Sequence, residues 1–224
     1  MFPDEQTPTR APLSRESIVD AALELLADGG LESVSFRRIA TKLGVSAPTL
    51  YWHVDSKRQL MDLMAEELLD RVGPADTGPT ADEPWWEWLR ERSRRMFEGL
   101  VVVRDAPRVL AGNRPSRERF PQLEKVLQGL VDAGMTPGEA QLTLFTVGAY
   151  VIGSATEWQA EAERASTQPP PGAADGDLAT VRARALAEQP VLLAAMTELL
   201  SRPHTAAFEF GLDLLIGGLR ARYA

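Results

Sequence analysis

The sequence predicts an all-α fold, in which an N-terminal three-helix domain with a helix-turn-helix precedes a larger helical domain. Three observations support this prediction. Apolar residues recur at spacings of three and four along most of the 224 residues. No run of strand length alternates apolar and polar residues. Glycine, proline and capping residues divide the chain into segments of ordinary helix length.

Four helices are predicted between residues 13 and 72. Ser14 can cap the first helix, Gly44 closes the second, and Ser56 with Gln59 forms a capping box for the fourth, which connects to the next domain. Pro48 falls in the first turn of the third helix, where a missing N–H costs little. The predicted helices cover about residues 14–29, 35–43, 47–54 and 56–72.

Residues 73–224 are predicted to form the second domain. A stretch at 73–83 is rich in glycine, proline, aspartate and threonine and indicates a linker. Thr136 and Glu139 form a capping box, and the helix that they open continues to about Ala165. Three consecutive prolines lie in a predicted mobile loop at 166–178, and residues 1–12 are predicted to be a flexible tail. The other predicted helices cover about residues 85–100, 118–133, 190–200 and 205–222.

The composition excludes several classes of function. The chain has no cysteine and only two histidines, His53 and His204, so neither a metal site nor a cofactor is expected. Its net charge of −8 argues against a protein that coats nucleic acid or an anionic membrane. The first 12 residues lack the apolar run of a secretory signal, and the longest uncharged run, 140–156, is too short to span a bilayer. We therefore expect a cytoplasmic protein with no membrane partner.

The segment 34–58 differs from the rest of the chain in its charge. It holds five basic side chains against Asp55 alone, a net charge of +4, which leaves −12 for the remainder. The basic residues are Arg37, Arg38, Lys42, Lys57 and Arg58. A basic patch on an acidic protein indicates a docking face for a polyanion.

The geometry of this segment is helix, tight glycine turn, helix. Thr49, Tyr51 and His53 cannot all face the same core as Leu50 and Val54, so they are available for phosphate contacts. This pattern predicts a DNA-binding helix-turn-helix whose second helix enters the major groove. An ordinary surface helical hairpin remains an alternative on the turn alone, because the same geometry recurs in many helical proteins.

Residues 13–71 resemble the DNA-binding domain of the tetracycline repressor family of bacterial transcription regulators. The motifs that carry this resemblance are 35–40 (SFRRIA), 43–45 (LGV), 48–54 (PTLYWHV) and Lys57-Arg58. A weaker resemblance continues at Trp85, Leu89-Arg90, 112–115, Gly134, Gly153 and Glu157. It implies a homodimer that binds a palindromic DNA operator, usually as a repressor. A small-molecule inducer bound in the C-terminal domain would change the separation of the two recognition helices and release the DNA.

The resemblance also implies DNA-contacting residues. Arg37 could read a guanine edge, or it could clamp a phosphate or form a surface ion pair. Pro48 could touch a thymine methyl or only start its helix, and Trp52, which could also contact DNA, is expected to pack in the core. Ala47 replaces a glutamine of the tetracycline-binding members, so the operator should differ there. The full predicted set is Ser35, Arg37, Ser46, Ala47, Pro48, Thr49, Tyr51, Trp52, His53 and Lys57.

The ligand site is expected among the helices between Trp85 and Glu157. In tetracycline-binding members a histidine ligates magnesium where this chain has Leu110, so we expect that magnesium–tetracycline is not the inducer. Arg92 could face a ligand carboxylate or extend to the surface. The predicted lining suits a mid-sized, largely apolar molecule and comprises Trp88, Arg92, Met96, Leu110, Asn113, Arg114, Val126, Phe145, Tyr150 and Glu157.

Two helices are predicted to form a dimer interface. The helix after Thr136 is apolar nearly all round and should therefore be buried on all sides, with one side facing the pocket and the other a partner chain. The last helix has Phe208, Leu212, Leu215 and Leu219 on one face, with Gly211, Gly217 and Gly218 for close approach. In the family such pairs form an intermolecular four-helix bundle. The alternative is that both helices are buried within one chain.

Two other classes of function remain as alternatives. One is an enzyme, which the absence of a glycine-rich phosphate loop and of a paired-histidine motif makes less favourable. The other is a helical ligand-binding protein whose hairpin no longer binds DNA. The basic patch, with Arg37, Tyr51 and Lys57 intact, argues against that second alternative.

Overall fold

The computed structural model describes residues 12–73, 78–80, 82–167 and 188–223. These residues form ten α-helices and no strand, which confirms the predicted fold class. The helices are α1 (Arg15–Gly29), α2 (Phe36–Leu43), α3 (Ala47–Leu50), α4 (Lys57–Val72), α5 (Trp85–Val102), α6 (Ala106–Leu110), α7 (Phe120–Asp132), α8 (Pro137–Thr167), α9 (Pro190–Leu200) and α10 (Ala206–Tyr223). Short 3-10 helices span Leu31–Ser33 and Arg117–Arg119.

Some predictions fall on residues outside these ranges. The predicted tail at 1–12 lies outside them except for its last residue. The predicted loop at 166–178 lies outside them from residue 168 onward, and residues 166 and 167 belong to α8.

The capping residues define the helix starts as predicted, with one difference. Ser14 Oγ accepts a hydrogen bond from the Ser17 amide at 3.2 Å. The Thr136 and Glu139 side chains each accept a hydrogen bond from the other residue's backbone amide. At α4 the predicted reciprocal box is incomplete, because Gln59 Oε1 accepts from the Asp55 amide rather than from that of Ser56.

The third helix is shorter than predicted. It ends at Leu50 rather than Val54, and residues 51–53 form a turn. The amides of Tyr51 and His53 donate to carbonyl groups three residues earlier, which tightens the backbone beyond an α-helix. Helix α6, a single turn with Pro107 near its start, was not predicted from the sequence.

The described residues belong to two compact units. The first lies within residues 1–76 and 98–124, and the second within 77–97 and 125–224. Residues 98–124 thus belong to the same unit as the N-terminal helices, and a domain boundary at residue 73 stays a prediction. Within the described part of the chain, no helix is both long and apolar enough to cross a bilayer.

The first unit has an apolar core tied together by polar contacts. Large buried side chains from α1, α2, α3 and α4 are Ile18, Leu26, Ile39, Leu50, Leu60 and Met64. Asp105, at the start of α6, has a positive φ of 59° and accepts a hydrogen bond from the Leu31 amide at 2.8 Å. Burial opposes ionisation of Asp105, but the Leu31 amide and the Arg108 guanidinium outweigh it and lower the pKa of that carboxyl.

The second unit is built around α5, α8 and α10. Phe97 of α5 stacks on Phe208 of α10 with ring centroids 4.0 Å apart. Arg94 donates to both carboxylate oxygens of Glu209, at 2.7 to 3.1 Å. The Tyr150 hydroxyl donates to the carbonyl oxygen of Phe208 at 2.9 Å, so α8 is held against α10.

Candidate functional site

The turn between α2 and α3 orients the candidate recognition helix. Gly44 has a left-handed conformation with φ of 61°. Its amide donates to Thr41, and the next amide, that of Val45, donates to Ala40, which is the hydrogen-bond pattern of a Schellman motif. The chain therefore leaves α2 in one defined direction.

We expect Gly44→Ala to destabilise the protein by about 1 kcal/mol, because a side chain in the left-handed region meets the following carbonyl group. Urea unfolding followed by circular dichroism measures this change. Gly138→Ala is the matched control, since Gly138 lies in the first turn of α8 with nothing near its Cβ position and no positive φ. Equal stability of the two variants would contradict the explanation.

The underside of this helix pair is apolar. Ile39 and Ala40 of α2 are buried together with Leu50 of α3 and with Val54 just beyond it. Phe36 stacks on Tyr51 with ring centroids 4.7 Å apart, which ties the start of α2 to the end of α3. The opposite side of α3 is consequently available to a partner.

Most of the predicted DNA-contacting residues lie on the accessible surface of this pair. Arg37, Pro48, Tyr51 and Lys57 are exposed, whereas Ala47 and His53 are half-buried. Three of the hydroxyl groups already have roles within the chain. Ser35 caps α2 by accepting from the Arg38 amide, and the hydroxyl oxygens of Ser46 and Thr49 are hydrogen-bonded at 2.7 Å.

The expectation that Trp52 packs in the core is wrong. The side chain is 88% exposed, because α3 ends at Leu50 and the following turn directs Trp52 away from the buried Leu50 and Val54. A side chain as large and apolar as tryptophan is seldom this exposed in a protein without a partner, and here it lies beside a basic surface. The contact of Trp52 with DNA stays a prediction.

The basic patch is smaller than its sequence suggests. Lys42 Nζ lies 2.7 Å from Glu24 of α1, and this hydrogen bond raises the pKa of the Lys42 ammonium. Arg58 pairs with Asp62 and also donates to the Gly112 carbonyl oxygen, both at 2.5 Å.

Within the described residues, three cations of the patch have no acidic partner: Arg37, Arg38 and Lys57. Arg38 was not among the predicted contacts, although its position beside Arg37 in the first turn of α2 was visible in the sequence. These three exposed charges define the cationic surface that the helix-turn-helix offers.

The predicted ligand-binding residues of the second unit do not all come together. Trp88, Arg92 and Met96 form one row along α5, and Val126 is buried on α7. Tyr150 is committed to α10 through its hydroxyl and its stacking on Phe208. Phe145 and Glu157 of α8 are both exposed.

The remaining three predicted ligand-binding residues belong to the first unit. Leu110 is buried in α6, and Asn113 is half-buried just beyond it. Arg114 is exposed, and its backbone amide donates to Asp62 of α4 at 3.2 Å. These positions lie in or just after α6, the short helix that was not predicted from the sequence.

Within one chain, the helix after Thr136 is not buried on all sides, and its predicted burial against a partner chain stays a prediction. Leu142 and Phe145 of α8 are each about two-thirds exposed, and so are Phe210 and Leu214 of α10. Gly211 allows α10 to lie close to Tyr150 of α8 within one chain, because a Cβ atom there would overlap the Tyr150 hydroxyl. Gly217 and Gly218 have nothing near their Cβ positions and leave that part of α10 open.

Helix α9 is exposed along its whole length although it is strongly apolar. None of its residues is buried. Its large exposed side chains are Val191, Leu192, Leu193, Met196, Leu199 and Leu200. Exposed apolar surface of this extent is typical of association sites in other proteins.

Comparisons with known proteins agree with this architecture. Residues 18–64 match the model of bacterial regulatory proteins of the tetR family, and residues 78–223 match the tetracyclin repressor-like C-terminal domain. The tetracycline repressor protein class C of Escherichia coli is 34% identical over 207 residues, which are 92% of this chain and 90% of the relative.

Two further relatives are similar over most of the chain. The HTH-type transcriptional repressor DrrR1 of Streptomyces coeruleorubidus is 31% identical, covering 97% of this chain and 82% of its own length. The crystal structure of TetR from Acinetobacter baumannii AYE superposes with a TM-score of 0.70 at 31% identity. That match covers 95% of this chain and 99% of the other.

Proposed function

Because the chain belongs to the tetR family of bacterial regulatory proteins, we propose that it binds a palindromic operator as a homodimer and leaves it when a small molecule binds. The protein is a ligand-responsive transcription regulator and not an enzyme. Repression is the mode that the names of its relatives favour. A regulator of bacterial genes acts in the cytoplasm, where the DNA is.

The observation that carries the DNA-binding proposal is the exposed surface of α2 and α3. Arg37, Arg38 and Lys57 supply cations that no described acidic residue neutralises. Phosphate contacts from such side chains provide affinity, and contacts to base edges provide specificity. We assign base reading to Arg37 and phosphate contacts to Thr49, Tyr51 and Lys57.

The dimer proposal is supported by the apolar surface that one chain leaves uncovered. Leu142 and Phe145 of α8, Phe210 and Leu214 of α10, and the whole of α9 are accessible. Two copies could cover these faces, with α8 and α10 forming the four-helix bundle that the family resemblance implies. A palindromic operator then follows, since a two-fold protein presents two equal recognition helices.

Selection from random duplex DNA tests the regulator proposal. The purified protein is incubated at near-physiological salt, so that sequence-independent binding is suppressed. We expect a palindromic consensus with two half-sites about one helical turn apart. Its sequence should differ from the tetracycline operator at the position read by Ala47, which has no hydrogen-bonding side chain. Sequence-independent binding alone, or recovery of the intact tetracycline operator, would contradict these expectations.

We expect that tetracycline with magnesium does not act as the inducer. Leu110 is buried and apolar at the position where the tetracycline-binding members place a magnesium-ligating histidine. Isothermal titration calorimetry with tetracycline, with and without magnesium chloride, should reveal no magnesium-dependent binding. Tight binding of tetracycline that requires magnesium would refute this expectation. The inducer that we propose instead of magnesium–tetracycline is a largely apolar small molecule.

A further inference from the structure

Arg92 occupies an unusual environment in the second unit. It lies on α5 between Trp88 one turn before it and Met96 one turn after it. Its Cζ atom is 5.7 Å from the centroid of the Trp88 ring, and Trp88 itself is only 5% exposed. The guanidinium group is thus held against a buried aromatic side chain.

The other arginines of α5 all have acidic partners. Arg90 pairs with Asp213 at 3.0 Å, Arg94 with Glu209 at 2.7 Å, and Arg95 with Glu91 at 3.5 Å. No side-chain hydrogen bond or ion pair joins Arg92 to any described residue. Burial lowers the pKa of the Arg92 guanidinium, and the charge of Arg95 lowers it further.

A half-buried guanidinium without a counter-ion has lost part of its hydration, and no described acidic group replaces it. Arginine remains charged under all physiological conditions, so the group cannot escape the cost by losing its proton. A cation–π contact recovers only a part of the lost hydration. An arginine that extended freely into solvent would be exposed, whereas Arg92 is half-buried and its guanidinium lies over the Trp88 ring.

We propose that Arg92 is an anion-binding residue of the ligand site, and that the regulating molecule carries a carboxylate or other acidic oxygen group beside an apolar ring system. This inference rests on the proposed function of the C-terminal part as a ligand-binding domain. The guanidinium fork can donate two parallel hydrogen bonds to such a group. Trp88 supports the guanidinium from the buried side, and Met96, one turn after Arg92, offers an adaptable thioether to the apolar part.

Two dyes of similar shape test the proposal without DNA. Anilinonaphthalene sulfonate carries one negative charge, and phenylnaphthylamine has the same rings and no charge. Each dye is titrated into the full-length protein, and binding is followed by energy transfer from tryptophan to the dye. Arg92→Gln keeps a polar side chain of moderate size, and Arg95→Gln is the control on the same helix.

We expect Arg92→Gln to weaken binding of the anionic dye by about 10- to 100-fold, the size of a lost charge-assisted hydrogen bond. Binding of the neutral dye should stay within about twofold, since it makes no use of the charge. Arg95→Gln should bind both dyes as the unmodified protein does. Arg92→Lys should recover part of the affinity for the anion, because it restores the charge without the planar fork.

The ligand-free variant provides a second measurement. Because Arg92 has no ion-pair partner to lose among the described residues, Arg92→Gln should melt within about 2 °C of the unmodified protein. A clear fall in Tm, absence of anionic-dye binding, or equal effects on the two dyes would overturn the proposal. The DNA selection can fail while the protein still binds the two dyes with different affinities. The dye experiment and the test of the proposed regulator function can therefore fail independently of each other.

Discussion

Replacing Arg37 with alanine is expected to weaken operator binding by about 5- to 150-fold for each half-site, corresponding to about 1–3 kcal/mol, and to relax the base preference there. The side chain is exposed in the first turn of α2 and has no partner among the described residues, so its removal does not unfold the domain. Fluorescence anisotropy with the selected operator and with single-base variants of it measures both effects.

Two matched variants sharpen this test. Lys42→Ala removes a cation of the same helix that Glu24 already neutralises, and it should change operator affinity little. Lys57→Ala should weaken binding to all sequences alike and reduce the salt dependence by about one counter-ion, as expected of a phosphate contact. If Arg37→Ala behaved like Lys57→Ala, Arg37 would be a phosphate clamp and the base-reading assignment would be wrong.

Replacing Leu214 with glutamate is expected to dissociate the dimer and, with it, to abolish operator binding. Leu214 is 63% exposed on α10, beside the open positions of Gly217 and Gly218. In a single chain a charge there would cost little, whereas a charge buried against a second copy would lack a partner. We expect the dimer dissociation constant to rise by more than about 100-fold, or about 3 kcal/mol. Sedimentation velocity at micromolar concentration measures it.

Val102→Glu is the control for this variant. Val102 is an exposed apolar residue at the end of α5, away from α8, α9 and α10 in the chain. It should leave the dimer intact, so that loss of association in Leu214→Glu is specific to the proposed interface. An unmodified protein that sediments as a monomer, or a Leu214→Glu variant that still dimerises, would contradict the bundle.

Local features of the structure were predictable because they depend on residues close together in the chain. The N-caps at Ser14 and Thr136 and the stop at Gly44 are defined by neighbours within four residues. Helical periodicity is likewise recognised from residues within two turns of each other. The predicted length of α3 was wrong for the same reason. Pro48, Leu50 and Val54 fit the pattern of a helix that continues to residue 54, but the chain forms a tight turn at 51–53.

The sequence by itself therefore determined the all-α class, most helix bounds, the helix-turn-helix and the family resemblance. Only the tertiary structure decided which charges remain free. Glu24 neutralises Lys42 across two helices, and three arginines of α5 find acids while Arg92 does not find one among the described residues. It also decided that Trp52, Phe145 and Leu214 are exposed. The physical reason is that charge pairing and burial depend on which distant segments meet in space, whereas helix periodicity and capping depend on a few adjacent residues.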